Sequence, residues 1–78
     1  MEIEQALPNL HEQLADYPVH RRFCLRDVCW EEWQRLTAGQ KSHVARQFKH
    51  NVQNGRYPNV VGIGTYSFRA SEEYIKVA

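Results

Sequence analysis

The stretch from Thr37 to Gly55 constrains the fold more than any other part of this chain. Thr37-Ala38-Gly39-Gln40 has the S/T-x-x-E/Q form of a capping box, in which the first and fourth side chains satisfy each other's backbone donors. Gly55 supplies the left-handed residue that commonly ends a helix. The spacing between them predicts a helix over about residues 38–54. At 100° per residue Val44, Ala45, Phe48 and Val52 share one quadrant and are expected to face a core. A helix with one apolar side is marginal alone, so the rest of the chain must cover it.

The flanking segments supply that cover. Leu7, Leu10, Leu14 and Tyr17 fall on one side of an N-terminal helix, with Pro8 in its first turn and Pro18 as its stop. Arg22-Phe23-Cys24-Leu25 alternates polar and apolar and reads as a short strand with Phe23 and Leu25 inward. Asp27 is the expected N-cap of a second helix of about nine residues, with Cys29, Trp33 and Leu36 as its apolar stripe. Trp30 is expected to close the core edge beside that stripe, whereas an exposed Trp30 would mark a protein interface. After Tyr57-Pro58-Asn59, two β-prone runs follow, Val60 to Tyr66 and Tyr74 to Val77, around a polar tip from Ser67 to Ser71. They read as a hairpin braced by Tyr66 and Phe68. Gly62-Ile63-Gly64 lies inside a strand and precedes no helix, so it reads as a bulge or a close backbone approach and not as a phosphate loop.

The order is helix, strand, helix, helix, hairpin, with a tight Thr-Ala-Gly connection between the last two helices. That is the order of a small α+β winged-helix-like domain with a helix-turn-helix. One domain is expected over residues 1–78, an acidic helix over 1–19 and the helix-turn-helix plus wing over 20–78. No apolar run approaches the ~20 residues of a membrane span. The acidic start Met-Glu-Ile-Glu-Gln is unlike a secretory leader, so a cytoplasmic location is expected. Cys24 and Cys29 are then expected to be buried thiols. His20, Cys24 and Cys29 lack a CxxC pair and a fourth ligand, and no metal or cofactor is expected.

Net charge is only +1, but it is unevenly spread. Glu2, Glu4, Glu12 and Asp16 stand without a base in residues 1–19, while Lys41, Arg46, Lys49, Arg56 and Arg69 stand without an acid in residues 37–69. On the 38–54 helix the side opposite the core carries His43, Arg46, His50 and Gln53, flanked by Ser42, Lys49 and Asn54. Side chains of these types read base edges or hold phosphates in a major groove, and a solvated helix face ordinarily mixes Glu with Lys. Lys41, Arg56 and the wing residue Arg69 are the expected phosphate contacts. His43 and His50 are seven apart, too far for a helical zinc pair, and Ser42 points about 100° from His43, so no nucleophile–base pair follows. A binding module is expected, and not an enzyme.

From Phe23 to Val77 the chain resembles a small bacterial family of unknown function. The matching residues are Phe23, Leu25, Asp27 and Val28, then Trp33 and Leu36, then Val44-Ala45-Arg46-Gln47-Phe48, Val52 and Gly55, with Tyr74 in the β-rich tail. Val28 stands where the family has Leu, and Val44-Ala45 where it has Leu-Gly. The resemblance implies a winged-helix-like domain and carries no activity with it.

Two partner classes follow. Duplex DNA would take the 38–54 helix in its major groove, as for a bacterial or mobile-element regulator. One unit this small reads few base pairs, so tight specific binding would call for a homodimer, a role open to the acidic first helix. The alternative is a protein partner, with the same fold acting as a small inhibitor, adaptor or modulator.

Overall fold

A computed structural model describes residues 2–65 and 72–78. The polar tip, with Tyr66, Ser67, Phe68, Arg69 and Ser71, lies outside the described residues. The elements are α1 (Ile3–Ala6), α2 (Leu10–Asp16), β1 (Arg22–Phe23), α3 (Leu25–Val28), α4 (Trp30–Gln34), α5 (Ala38–Gln53), β2 (Val60–Thr65) and β3 (Glu72–Lys76). The molecule is α+β and winged-helix-like: short helices, a helix-turn-helix and a small antiparallel sheet in the expected order.

The N-terminal segment is two helices and not one. Leu7 precedes Pro8, whose ring disfavours the α region for its neighbour, and Leu7 accordingly sits at φ −129°, ψ 73° as the C-cap of α1. Asn9 then opens α2. The break puts Ile3 into the core with Leu7, Leu10 and Leu14. The apolar side of the acidic start is therefore buried within this chain.

The second helix also divides. Leu25, expected in a strand, is the first residue of α3, and its N-cap is Cys24. Asp27 is not the cap but the fourth residue of the box: its carboxylate accepts from the Cys24 backbone N–H at 3.1 Å and from its thiol at 3.3 Å. Cys29 leaves helical geometry at φ −123°, ψ 53°, and α4 begins after it. This kink leaves Trp33 and Leu36 against the core but turns Trp30 out, 58% exposed. Trp30 does not close the core edge.

α5 forms as the capping box requires. Thr37 N–H donates to Gln40 Oε1 at 2.9 Å and Gln40 N–H to Thr37 Oγ1 at 3.2 Å. Gly55 follows the last turn at φ 77°, a conformation that costs a residue without Cβ little. Val44 and Phe48 are fully buried and Val52 half-buried, but Ala45 is exposed. The fourth inward position is Asn51, 5% exposed, whose side chain hydrogen-bonds the buried Tyr57.

Among the described residues the sheet runs β1-β3-β2, all antiparallel, so the last strand of the chain is the central one. Its register shifts between Gly62 and Gly64, the bulge that the paired glycines suggested, and Gly64 has φ 100°. Gly62 lies opposite Tyr74, whose ring passes over it. Tyr74 in turn packs between Phe23 and Phe48, at centroid distances of 5.9 and 4.8 Å.

Lys76 ties the sheet to α2. It is only 9% exposed, and its ammonium donates to the carbonyls of Ala15 at 2.8 Å and Tyr17 at 3.0 Å, at the negative end of the helix. Lys76→Met keeps the stem and removes both bonds. It is expected to cost about 2 kcal/mol, lowering the melting temperature by roughly 10 °C in a domain of this size. Thermal unfolding followed by circular dichroism measures this, and an unchanged midpoint would mean that α2 is held by its leucines alone.

Candidate nucleic-acid interface

With Phe48 and Val44 fixed inward, geometry dictates what α5 shows outward. Ser42, His43, Arg46, Lys49, His50 and Gln53 are all exposed, and Lys41 is half-buried. The expected outer face therefore exists as one surface. It is not acid-free, however. Glu72, the first residue of β3, places its carboxylate 3.1 Å from the Lys49 ammonium, tying α5 to the sheet. Exposed pairs of this kind contribute little stability, about 0–1 kcal/mol, but they neutralise a cation locally.

The remaining expected contacts separate. Arg56 lies beyond the C-terminal end of α5, beside a hollow lined by His11, Pro58 and Lys76, apart from the Arg46 cluster. Arg69 lies outside the described residues. Lys41, Ser42, Arg46 and Lys49, by contrast, are brought to a single open hollow of about 520 Å³ between α3, α4, α5 and β3. Arg26, Trp33 and Tyr74 complete its walls, and the exposed Ala45 gives it depth. A second hollow, between α5 and the sheet, shares Lys49, Glu72 and Tyr74 with the first.

Sequence reading missed Arg26, Trp33, Glu72 and Tyr74 as members of this surface. Arg26 is hidden because the capping box that places it on a helix carries the Cys24 thiol where a hydroxyl is usual. Glu72 and Tyr74 come from a strand that begins 19 residues after the end of α5, and no local pattern joins them to it. One signal was available: the small Ala45 within a run of long cations.

Burial favours the neutral form of two thiols and one phenol on or near this surface. Burial, with a smaller push from Glu32, raises the Cys29 thiol from 9.0 to about 12. Burial, aided by Glu72, raises the Tyr74 hydroxyl from 10.0 to about 12. The Cys24 thiol is also raised, by burial first and then by its bond to Asp27. These thiols are poor nucleophiles at neutral pH. Among the described residues no three His, Cys, Asp or Glu side chains gather to hold a metal ion, and no helix is long and apolar enough to cross a membrane.

The shifts of Cys29 and Tyr74 have a stability consequence. Each favours the neutral form in the folded state, so their contribution is fully present below about pH 9 and is lost as pH rises toward 12. The melting temperature is expected to stay level between pH 7 and pH 9 with respect to these groups and to fall above it. A Cys29→Ala variant should show a shallower alkaline decline; an equal decline would assign it to other groups.

Comparison of the chain with protein-family models, with curated proteins and with solved structures gave no match.

Proposed function

We propose that this domain binds nucleic acid, with α5 as the element that enters the major groove of duplex DNA. The observation that carries this reading is the single outward face of α5. His43, Arg46, Lys49, His50 and Gln53 stand exposed on a helix whose opposite side is locked to the core by Val44 and Phe48. A rigid helix with cationic and amide side chains outward is the form in which phosphates and base edges are both met. Lys41 and Ser42, in the first turns, would hold the backbone. The domain acts by binding and not by catalysis, as for a small cytoplasmic regulator of bacterial or mobile-element origin.

A second reading is favoured by one observation. Trp30 is exposed on α4 and is not part of the basic surface. Exposed Trp side chains are enriched at protein interfaces, so an adaptor or inhibitor docking through Trp30 is the alternative.

The two readings separate in one experiment. Fluorescence anisotropy of a labelled duplex, titrated at several salt concentrations, is expected to show binding that weakens steeply with salt. Arg46→Ala should reduce the salt slope by about one unit. Glu72→Gln, which releases Lys49 from its partner, should tighten binding and steepen the slope by up to about one unit. No binding at low salt would reject the DNA reading and direct the search to partners of Trp30.

A further inference from the structure

The hollow beside α5 has features that docking against a duplex does not use. Arg26 enters it from α3, across from Lys41, Arg46 and Lys49, so its cations come from two elements and face a common space. Glu72 is the carboxylate among its lining residues, leaving the rim net positive. Its volume of about 520 Å³ falls within the usual range for small-molecule sites.

One of its lining residues carries a buried polar group without a partner among the described residues. Tyr74 is 3% exposed, and its hydroxyl is buried with no hydrogen-bond partner among the described residues. Leaving such a group unsatisfied is costly, and native structures keep few of them without a ligand, a water or a function. The Tyr74 hydroxyl stays protonated at neutral pH and can therefore donate. Trp33 adds a half-buried indole to the same lining.

These groups select among ligands. Two guanidinium groups, two ammonium groups and the hydroxyls of Ser42 and Tyr74 are all donors, so the ligand must be rich in acceptors. A carboxylate carries one charge and two oxygens. A phosphate monoester carries close to two charges and three terminal oxygens, and it suits the forked geometry of arginine. The indole wall suits a flat aromatic body attached to that phosphate.

We propose that this hollow binds a phosphate monoester carried on an aromatic base, the chemistry of a nucleoside monophosphate. Arg26, Arg46 and Lys41 hold the phosphate, Tyr74 donates to the ligand, and Trp33 lies against the base. The ligand is a free nucleotide or the phosphorylated end of a strand, which share this chemistry. The site goes beyond the duplex-binding reading and shares Arg46 and Lys41 with it, while Arg26 and Tyr74, the residues varied in its test, are not on the outward face of α5.

The test uses a Trp30→Phe background, in which Trp33 is the sole tryptophan of the chain's two. Titration with adenosine 5′-monophosphate is expected to change Trp33 fluorescence saturably, with half-saturation at about 1 mM or below. Inorganic phosphate should compete about tenfold more weakly, for want of the base. Arg26→Gln should weaken nucleotide binding about tenfold and Tyr74→Phe about threefold or more. Tyr74→Phe should leave the melting temperature unchanged or higher, since it removes a hydroxyl without a partner. Competition by a 5′-phosphorylated oligonucleotide, and not by its unphosphorylated twin, would assign the site to a strand end. Competition by neither would assign it to the free nucleotide. Absence of a saturable response up to about 10 mM, or equal affinity in the parent and both variants, would overturn the proposal. A duplex-binding failure alone would not.

Discussion

The edge-to-face contact between Tyr74 and Phe48, 4.8 Å between ring centres and 88° between ring planes, is the contact on which the rest of the molecule is arranged. It joins the central strand to the long helix, and it lies in the middle of a continuous row of rings from Tyr17 through Phe23, Tyr74, Phe48 and Tyr57 to His11. That row reaches from the end of α2 across the sheet to the turn after α5 and back to α2. Burying a ring of this size contributes roughly 1.5–3 kcal/mol, and aromatic pairs contribute about 0.5–1.5 kcal/mol beyond their area. β3 is central in the sheet, so the core closes only when that strand is in place. Once Phe48 is seated, the rotation of α5 is fixed and Arg46 and Lys49 have no choice but to face outward.

What was legible in the sequence was local. The Thr37–Gln40 box, the left-handed Gly55, the bulge at Gly62 to Gly64 and the inward Phe23 each depend on residues within a few positions of one another. The failures share the opposite property. Ala45 is exposed in the hollow between α5 and its neighbours, and Asn51 is buried with its side chain hydrogen-bonded to Tyr57, in the turn beyond α5. Neither follows from a helical wheel. Lys49 finds Glu72 at a separation of 23 residues. Asp27 is a subtler case: Cys24-Leu25-Arg26-Asp27 has the spacing of a capping box, but with a thiol in place of the hydroxyl, and a reading keyed to Ser or Thr passes over it.

The first half of the chain shows how a small domain compensates for short helices. Pro8 and the break at Cys29 leave helices of four to seven residues, which have almost no stability of their own. They are held instead by burial and by contacts from a distance. Ile3, Leu7, Leu10 and Leu14 fill the core, Glu2 accepts from Gln47 at 3.0 Å, and Glu32 accepts from Asn9 at 3.1 Å. Two of the carboxylates that make this chain nearly neutral overall are thus occupied within the molecule. The apolar side of α1 and α2 is spent in the same way, so a homodimer would have to use another surface, of which exposed Trp30 is one.

Near-neutral net charge is therefore a poor guide to what this surface attracts. A field is felt at the range of a Debye length, about 8 Å at physiological salt. Within that range the outward side of α5 and the hollow beside it are dominated by Arg26, Lys41, Arg46 and Lys49, with Glu72 as the opposing charge. Glu72 acts there as a competitor already in place: any phosphate that approaches Lys49 meets the repulsion of a carboxylate held at 3.1 Å. On the proposed readings, Arg46 and Lys49 belong both to the face offered to a duplex and to the rim of the nucleotide hollow. Two anions that draw on shared cations cannot bind independently. Their coupling is unfavourable and, as for any linked pair of equilibria, equal in both directions. The position of Ala45 between the two surfaces then has a physical meaning. A small side chain there lines the hollow without filling it, so the long cations on either side of it in the helix border the same space.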